Sequence, residues 1–513
     1  MPKPKPFQKV LIANRGEIAI RVCRTLREMG IASVAVYSEP DRSAPHVFAA
    51  DEAHLLGPAP APQSYLNAAR LLEVARASGA DAIHPGYGFL AESADFAQRV
   101  LDAGITWIGP TPEASRAVGD KVSARALAIA AGVPVLPGTP GPVSDLTEMK
   151  SAASKIGYPV VLKAAAGGGG KGMRRVNTPE EFESAVRLAQ GEARGAFGDD
   201  RLYLERWVEQ PRHIEVQLLA DQRGNVIALG ERDCSVQRRH QKVVEETPSP
   251  ALDPPQRREL GELAVKVARA GKYTNAGTAE FLMDRQGRFY FLEMNARLQV
   301  EHPVTEMVLG MDLVREQIRI AQGEPLDVTQ AELKPVGAAI EFRIYAEDPD
   351  QGWLPQAGTI RRLVLPDGPY VRCDFGVRAG GEIPVHYDPM IGKIIVWGRT
   401  RAEAIARARR AMGETILEGT PTTLPFHRWI LEREEFISGA YDTAFLSKHF
   451  RVAAPPDPVR EEREAAALAA VFAALERSAP AASLMGAPPG GAAPSRWRES
   501  VSGLRAVPER GWR

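Results

Sequence analysis

The sequence predicts an α/β chain in three successive parts: an N-terminal α/β region on a parallel sheet, a central region of longer strands, and a C-terminal region that is mostly β. Three observations carry this. Over residues 1–118 short β-rich runs alternate with amphipathic helical runs, the pattern of parallel strands covered by helices. Over 119–330 the strands lengthen and pair around an uninterrupted glycine run. Over 336–450 β-rich segments dominate until an Ala/Arg-rich helix near Arg401 to Met412. The 513 residues allow three or four domains at roughly 150 residues each.

In order, Lys9 to Ala13 reads as the first strand. A helix follows from about Gly16, with Ile18, Val22, Leu26 and Met29 at helical spacing and Arg21, Arg24, Arg27 and Glu28 on the other side. Gly30 ends it, and Ser33 to Tyr37 is the next strand. Ala82 to His84 and Thr106 to Gly109 repeat the pattern, and no G-x-G-x-x-G dinucleotide fingerprint follows the first strand. Further strands are expected at Tyr158 to Lys163, Leu202 to Val208 and His213 to Ala220. The last 63 residues, 451–513, hold 16 Ala and 8 Pro, which predicts a flexible tail with one helical stretch from Glu461 to Arg477.

Composition narrows the function. Lys and Arg total 64, as do Asp and Glu, so the net charge is zero and a broad nucleic-acid or anionic-membrane surface is disfavoured. Cys23, Cys234 and Cys373 are too few and too far apart for a disulfide framework or a zinc site, which fits a reducing compartment. No apolar run approaches the ~20 residues of a membrane span. A soluble, cytoplasmic protein is expected.

Three segments carry chemistry. Gly167 to Gly170, between Lys163 and Lys171-Gly172, lets backbone N–H groups approach a phosphate, and the strand Pro159-Val-Val-Leu delivers Lys163 into it. It is not a Walker A loop, and the competing reading of a bare glycine run is a linker. From Glu293 to Glu301 polar and apolar residues alternate, so an extended chain would place Glu293, Asn295, Arg297, Gln299 and Glu301 on one face. Thr278 to Met283 adds Glu280 in an apolar strand close enough to form a hairpin with Phe289 to Leu292. Two carboxylates within ~4 Å repel by roughly 4 kcal/mol at an effective dielectric of 20, which a hard divalent cation removes. Glu231 to Glu246 has a cationic centre with acidic shoulders, and reads equally as a solvated salt-bridged loop or as an oxyanion-holding loop with Lys242 and His240.

Together with Ile12-Ala-Asn-Arg-Gly-Glu-Ile18, His84-Pro-Gly-Tyr-Gly-Phe89, Gly119-Asp-Lys121 and Tyr387-Asp-Pro-Met-Ile391, these segments resemble biotin carboxylase, an ATP-grasp enzyme, over about residues 7 to 450. The resemblance implies a pre-ATP-grasp N-terminal domain, an ATP-grasp domain with a mobile glycine-rich lid at about 134–205, and a C-terminal domain. It implies carboxylation of biotin, carried on a partner protein or domain, by ATP and bicarbonate through carboxyphosphate. ATP contacts are then expected from Lys121, Lys163, Gly169, Gly170, Glu205, Arg206, Trp207, Val208, His213, Gln237, His240, Glu280 and Glu293. Glu280, Glu293 and Asn295 would ligate Mg²⁺ or Mn²⁺, as two ions. Lys242, Arg297, Gln299, Val300 and Glu301 would hold bicarbonate, with Glu301 the general base, and Arg343 and Tyr87 would meet biotin. Arg297, Glu301, Lys242 and Arg343 form the expected catalytic set.

The Phe342-Arg-Ile-Tyr-Ala-Glu-Asp-Pro349 wording is similar to alpha subunits of acyl-CoA carboxylases of the methylcrotonyl or propionyl type, and Trp497-Arg and Gly511-Trp-Arg513 to the segment that follows in those longer chains. No biotin-attachment Met-Lys-Met is present, so either the carrier is a separate polypeptide or the chain stops before it. A carrier, a carboxyltransferase subunit and a second copy of the chain are the expected partners. The rival readings are another ATP-grasp ligase with an acylphosphate intermediate and a silent ATP-binding scaffold.

Overall fold

The computed structural model describes residues 5–164 and 173–451. Strands Lys9–Ile12, Ala32–Ser38, Glu52–Gly57, Ala82–His84 and Thr106–Trp107 form a five-stranded sheet, parallel throughout, in which Lys9–Ile12 is central. The helix Gly16–Glu28 buries Ile18, Val22 and Leu26, four residues apart, as the spacing predicts. Arg21 departs from that prediction. It is buried, with its guanidinium 2.8 Å from Glu306 and 2.7 Å from Asp312, because a distant segment supplies the carboxylates that let a charge leave water.

Eight strands make a second, antiparallel sheet in the order Phe289–Asn295, Asn275–Met283, Arg212–Ala220, Val226–Arg238, Gln241–Thr247, Ala338–Tyr345, Met390–Gly398 and Val371–Phe375. It runs without a break from the central region into the C-terminal one, through the pairing of Gln241–Thr247 with Ala338–Tyr345. On Arg212–Ala220, Ile214, Val216, Leu218 and Ala220 join the core that contains Leu260, Ala264 and Val267 of the helix Pro254–Ala270. Leu219 instead joins a core with Val10, Ile12, Ile18 and Leu26 of the N-terminal part. Strand alternation therefore leaves His213, Glu215 and Gln217 on that second face. Each fully buried Leu, Ile or Phe contributes roughly 1.5–3 kcal/mol.

A third layer pairs Val160–Ala164 with Met173–Val176 and Leu202–Arg206, and shares a core with the helices Leu146–Ile156 and Pro179–Phe197. The glycine run, including Gly169 and Gly170, and the tail from residue 452 onward lie outside the described residues.

The charged segment Glu231 to Glu246 forms two strands joined by a two-residue turn. Arg239 and His240 both take left-handed backbone angles, φ +47° and +70°, the geometry of a tight hairpin. The strands are not a solvated loop, since Arg232, Asp233, Ser235, Glu245 and Glu246 are buried, while the turn residues Arg239 and His240 are exposed.

Candidate active site

Register assembles the centre. Glu293 pairs with Glu280, Glu280 with Glu215, and Glu215 with Arg232, on four neighbouring strands. Directly paired residues point to the same face, so three carboxylates and one guanidinium stand in a row. Arg232, wholly buried, donates to Glu215 Oε1 at 2.6 Å, Gln217 Oε1 at 2.7 Å and Thr305 Oγ1 at 3.0 Å.

The Lys242 ammonium closes the row, donating to Glu215 at 2.5 Å, Glu280 at 2.9 Å and Glu301 at 2.7 Å. Burial pulls its pKa down, but the three carboxylates outweigh burial and hold it well above the usual lysine value. Arg343 donates to Glu245 at 2.5 Å and to the second oxygen of Glu301 at 2.9 Å. Burial would raise Glu301, yet Lys242, Arg343 and Arg232 hold it well below the carboxylate range. Glu245 shares Arg343 and, pushed first by burial, rises to about 7.

The polar residues of the alternating run meet at the site without the chain being extended throughout, while Met294, Ala296 and Leu298 enter hydrophobic cores. The strand ends at Asn295, and Glu301 stands immediately before the helix His302–Leu309 without a side-chain capping bond to it. Polar contacts shape the intervening loop: Arg297 donates to Gln299 Oε1 at 2.7 Å and Asn295 Oδ1 at 3.2 Å, and Gln299 donates to Glu280 at 3.3 Å.

These side chains face a cavity of about 490 Å³. Lys121, Lys163, Glu205, Arg206, Trp207, Val208, His213, Gln237 and His240 line it, as do Lys242, Glu280, Glu293, Asn295, Arg297, Gln299, Val300 and Arg343. Asp120 caps the helix Lys121–Ala130 by accepting from Val122 and Ser123, each at 3.0 Å, and so sets Lys121 at the helix start. Lys163 bonds to Glu205 across the third layer. Glu301 lies behind the cavity lining, fully buried. Tyr87 is not in the lining. It packs beside Lys393, whose ammonium is 5.8 Å from its ring centre.

Burial raises the Glu293 carboxyl first, and the neighbouring Glu280 raises it further. A divalent cation relieves that pattern, and two carboxylates with the Asn295 amide are hard oxygen donors that fit Mg²⁺ or Mn²⁺. Sequence reasoning missed Glu215, Arg232, Glu245 and Lys393. Glu215 in Ile214-Glu-Val216 and Lys393 in Gly392-Lys-Ile394 carry a signal, a lone charge in an apolar strand, whereas Arg232 and Glu245 stand beside other charges and carry none.

The antiparallel sheet and the three-stranded layer, with lysines and hard oxygen donors facing the cavity they share, define an ATP-grasp ligase. Residues 120–329 match the family described as Carbamoyl-phosphate synthase L chain, ATP binding domain. Residues 6–115 match the Biotin carboxylase, N-terminal domain, and 341–448 the Biotin carboxylase C-terminal domain. The chain is 54% identical over 442 residues to a biotin carboxylase of Nostoc sp., covering 86% of this chain and 99% of that one. It is 49% identical to the propionyl-CoA carboxylase alpha chain of Ruegeria pomeroyi, over 86% of this chain and 68% of that one. The biotin carboxylase domain dimer of Hydrogenobacter thermophilus 2-oxoglutarate carboxylase, solved with MgADP, ADP and bicarbonate, superimposes with a TM-score of 0.85 at 47% identity, covering 88% of this chain and all of that one. The chain belongs to the biotin carboxylase family.

Proposed function

We propose that this chain carboxylates biotin with ATP and bicarbonate, the first half-reaction of a biotin-dependent acyl-CoA carboxylase. The observation that carries the reading is one buried carboxylate, Glu301, held between Lys242 and Arg343 beside the Arg297–Gln299 loop. At rest this carboxylate is ionised but weakly basic, because two cations satisfy it. Bicarbonate entering among Lys242, Arg297, Gln299 and Val300 takes over those donors, which frees Glu301 to accept its proton.

The deprotonated oxygen attacks the γ-phosphorus, the bond to ADP breaks, and carboxyphosphate forms. Its breakdown yields CO₂ and phosphate. The phosphate takes the proton from the biotin N1, the nitrogen adds to CO₂, and Arg343 stabilises the ureido oxygen as negative charge builds there. Lys121, Lys163 and His240 bind the nucleotide phosphates, while Glu205 to Val208 line the base pocket. Mg²⁺ or Mn²⁺ on Glu280, Glu293 and Asn295, when bound, neutralises phosphate charge.

A biotin carrier and a carboxyltransferase are the partners this reaction needs. A homodimer is supported by the dimeric Hydrogenobacter domain, and among the described residues no helix is long and apolar enough to cross a membrane. The test is bicarbonate-dependent phosphate release from ATP with and without free biotin. Stimulation by biotin is expected. A rate indifferent to biotin would point instead to another ATP-grasp ligase.

A further inference from the structure

We propose that Lys393 and His302 are positioning residues that aim the bicarbonate-binding peptides of the Gln299–Glu301 loop. The proposal deepens the functional reading above and rests on it.

Two consecutive carbonyls of that loop point away from the cavity into buried donors. The Gln299 carbonyl accepts from His302 Nδ1 at 2.8 Å. A carbonyl can only accept, so Nδ1 carries the proton. The Val300 carbonyl accepts from the Lys393 ammonium. A trans peptide holds its C=O and N–H antiparallel, so a carbonyl fixed away from the cavity turns the following N–H the opposite way. His302 thereby sets the Val300 N–H, and Lys393 sets the Glu301 N–H and the start of the helix that carries the Glu301 side chain.

Lys393 is wholly buried on the strand Met390–Gly398, paired in register with Arg343. Its nearest acids are Glu17 at 3.5 Å, on the N-terminal helix, and Glu341 at 3.9 Å, both pushed up by burial, while Asp374, paired with it in register, is despite burial held low by Arg372 and Lys393. The Glu17 and Glu341 carboxylates lack a hydrogen-bond partner among the described residues. The lysine spends its short hydrogen bond on a main-chain carbonyl rather than on either acid. A charged donor bonded to a main-chain carbonyl fixes that peptide more firmly than a neutral donor would.

The experiment measures KM for bicarbonate and for ATP in Lys393→Met, Lys393→Arg and Gln299→Ala. Lys393→Met is expected to raise the bicarbonate KM by at least about tenfold and leave the ATP KM near wild type, since a lost charged hydrogen bond is worth about that factor. Lys393→Arg, which keeps a donor and the charge, recovers part of the loss. A bicarbonate KM unchanged in Lys393→Met but raised in Gln299→Ala overturns the positioning role and leaves the bicarbonate site standing. No change in either variant removes the site reading itself. If Lys393→Met does not fold, because Glu17 and Glu341 are left unpaired, the triple variant Glu17→Gln/Glu341→Gln/Lys393→Met removes the buried charge, and the same split between the two KM values decides.

Discussion

Replacing Lys242 with Met tests the central charge arrangement directly. One ammonium serves Glu215, Glu280 and Glu301 at 2.5, 2.9 and 2.7 Å, and Glu215 and Glu301 are fully buried. Methionine keeps much of the stem volume and removes the charge. Breaking a buried pair costs about 3–5 kcal/mol. Two carboxylates at ~4 Å repel by about 4 kcal/mol at an effective dielectric of 20, so the acids take up protons rather than stay charged. Their folded-state pKa values then rise above the ordinary carboxylate value of 4.5. A group raised on folding contributes stability at acid pH that is lost as the pH climbs through its folded value. The melting temperature of ligand-free Lys242→Met, followed by calorimetry, should fall well below wild type at about pH 8 and approach it at about pH 5.5. Bicarbonate-dependent ATP hydrolysis should drop by at least ~10²-fold, the scale of one lost oxyanion donor. A melting deficit equal at both pH values, or none, would refute the shared-ammonium geometry.

Four further outcomes follow from the same contacts. Arg343→Ala should lower biotin carboxylation by about 10²-fold or more while MgADP binding, read by calorimetry, stays near wild type. Glu280→Gln removes an acid that accepts from Lys242, Asn295 and Gln299 and lies beside Glu293, and should shift the Mg²⁺ titration of activity to higher concentration; an unaltered titration argues against it as a ligand. Burial pushes Glu17 up to about 7, so its contribution to stability fades as the pH rises from 4.5 through that value. Glu17→Gln should therefore flatten the fall in melting temperature across that window. Phe281→Ala empties a wholly buried site packed edge-to-face on Phe291, with ring centres 5.7 Å apart, and should cost about 3–5 kcal/mol by denaturant unfolding.

Much of this architecture was legible in the chain itself. Helix spacing at Ile18, Val22 and Leu26, and the hairpin that sets Glu280 against Glu293, depend on local periodicity and short separations, where residue order and geometry are nearly the same information. What stayed hidden has one cause. Spacing puts Arg21 on the side of the helix away from Ile18 and Val22, and the alternation from Glu293 to Glu301 suits an extended chain, but the pattern of a segment does not reveal what packs on it. Arg21 is buried by Glu306 and Asp312, and the strand stops at Asn295, where Arg297 and Gln299 bond within the loop.

By itself the sequence determined the α/β class, the strands that carry the acids, and the presence of lysines and hard oxygen donors of the kind that suit a phosphate and a divalent cation. Only the tertiary structure decided which charges meet. Lys242 lies 27 positions from Glu215 and 59 from Glu301, and Arg343 lies 98 from Glu245. A buried ion is tolerated only where another element brings its counter-charge within hydrogen-bonding distance, and sheet register, not local propensity, sets that distance.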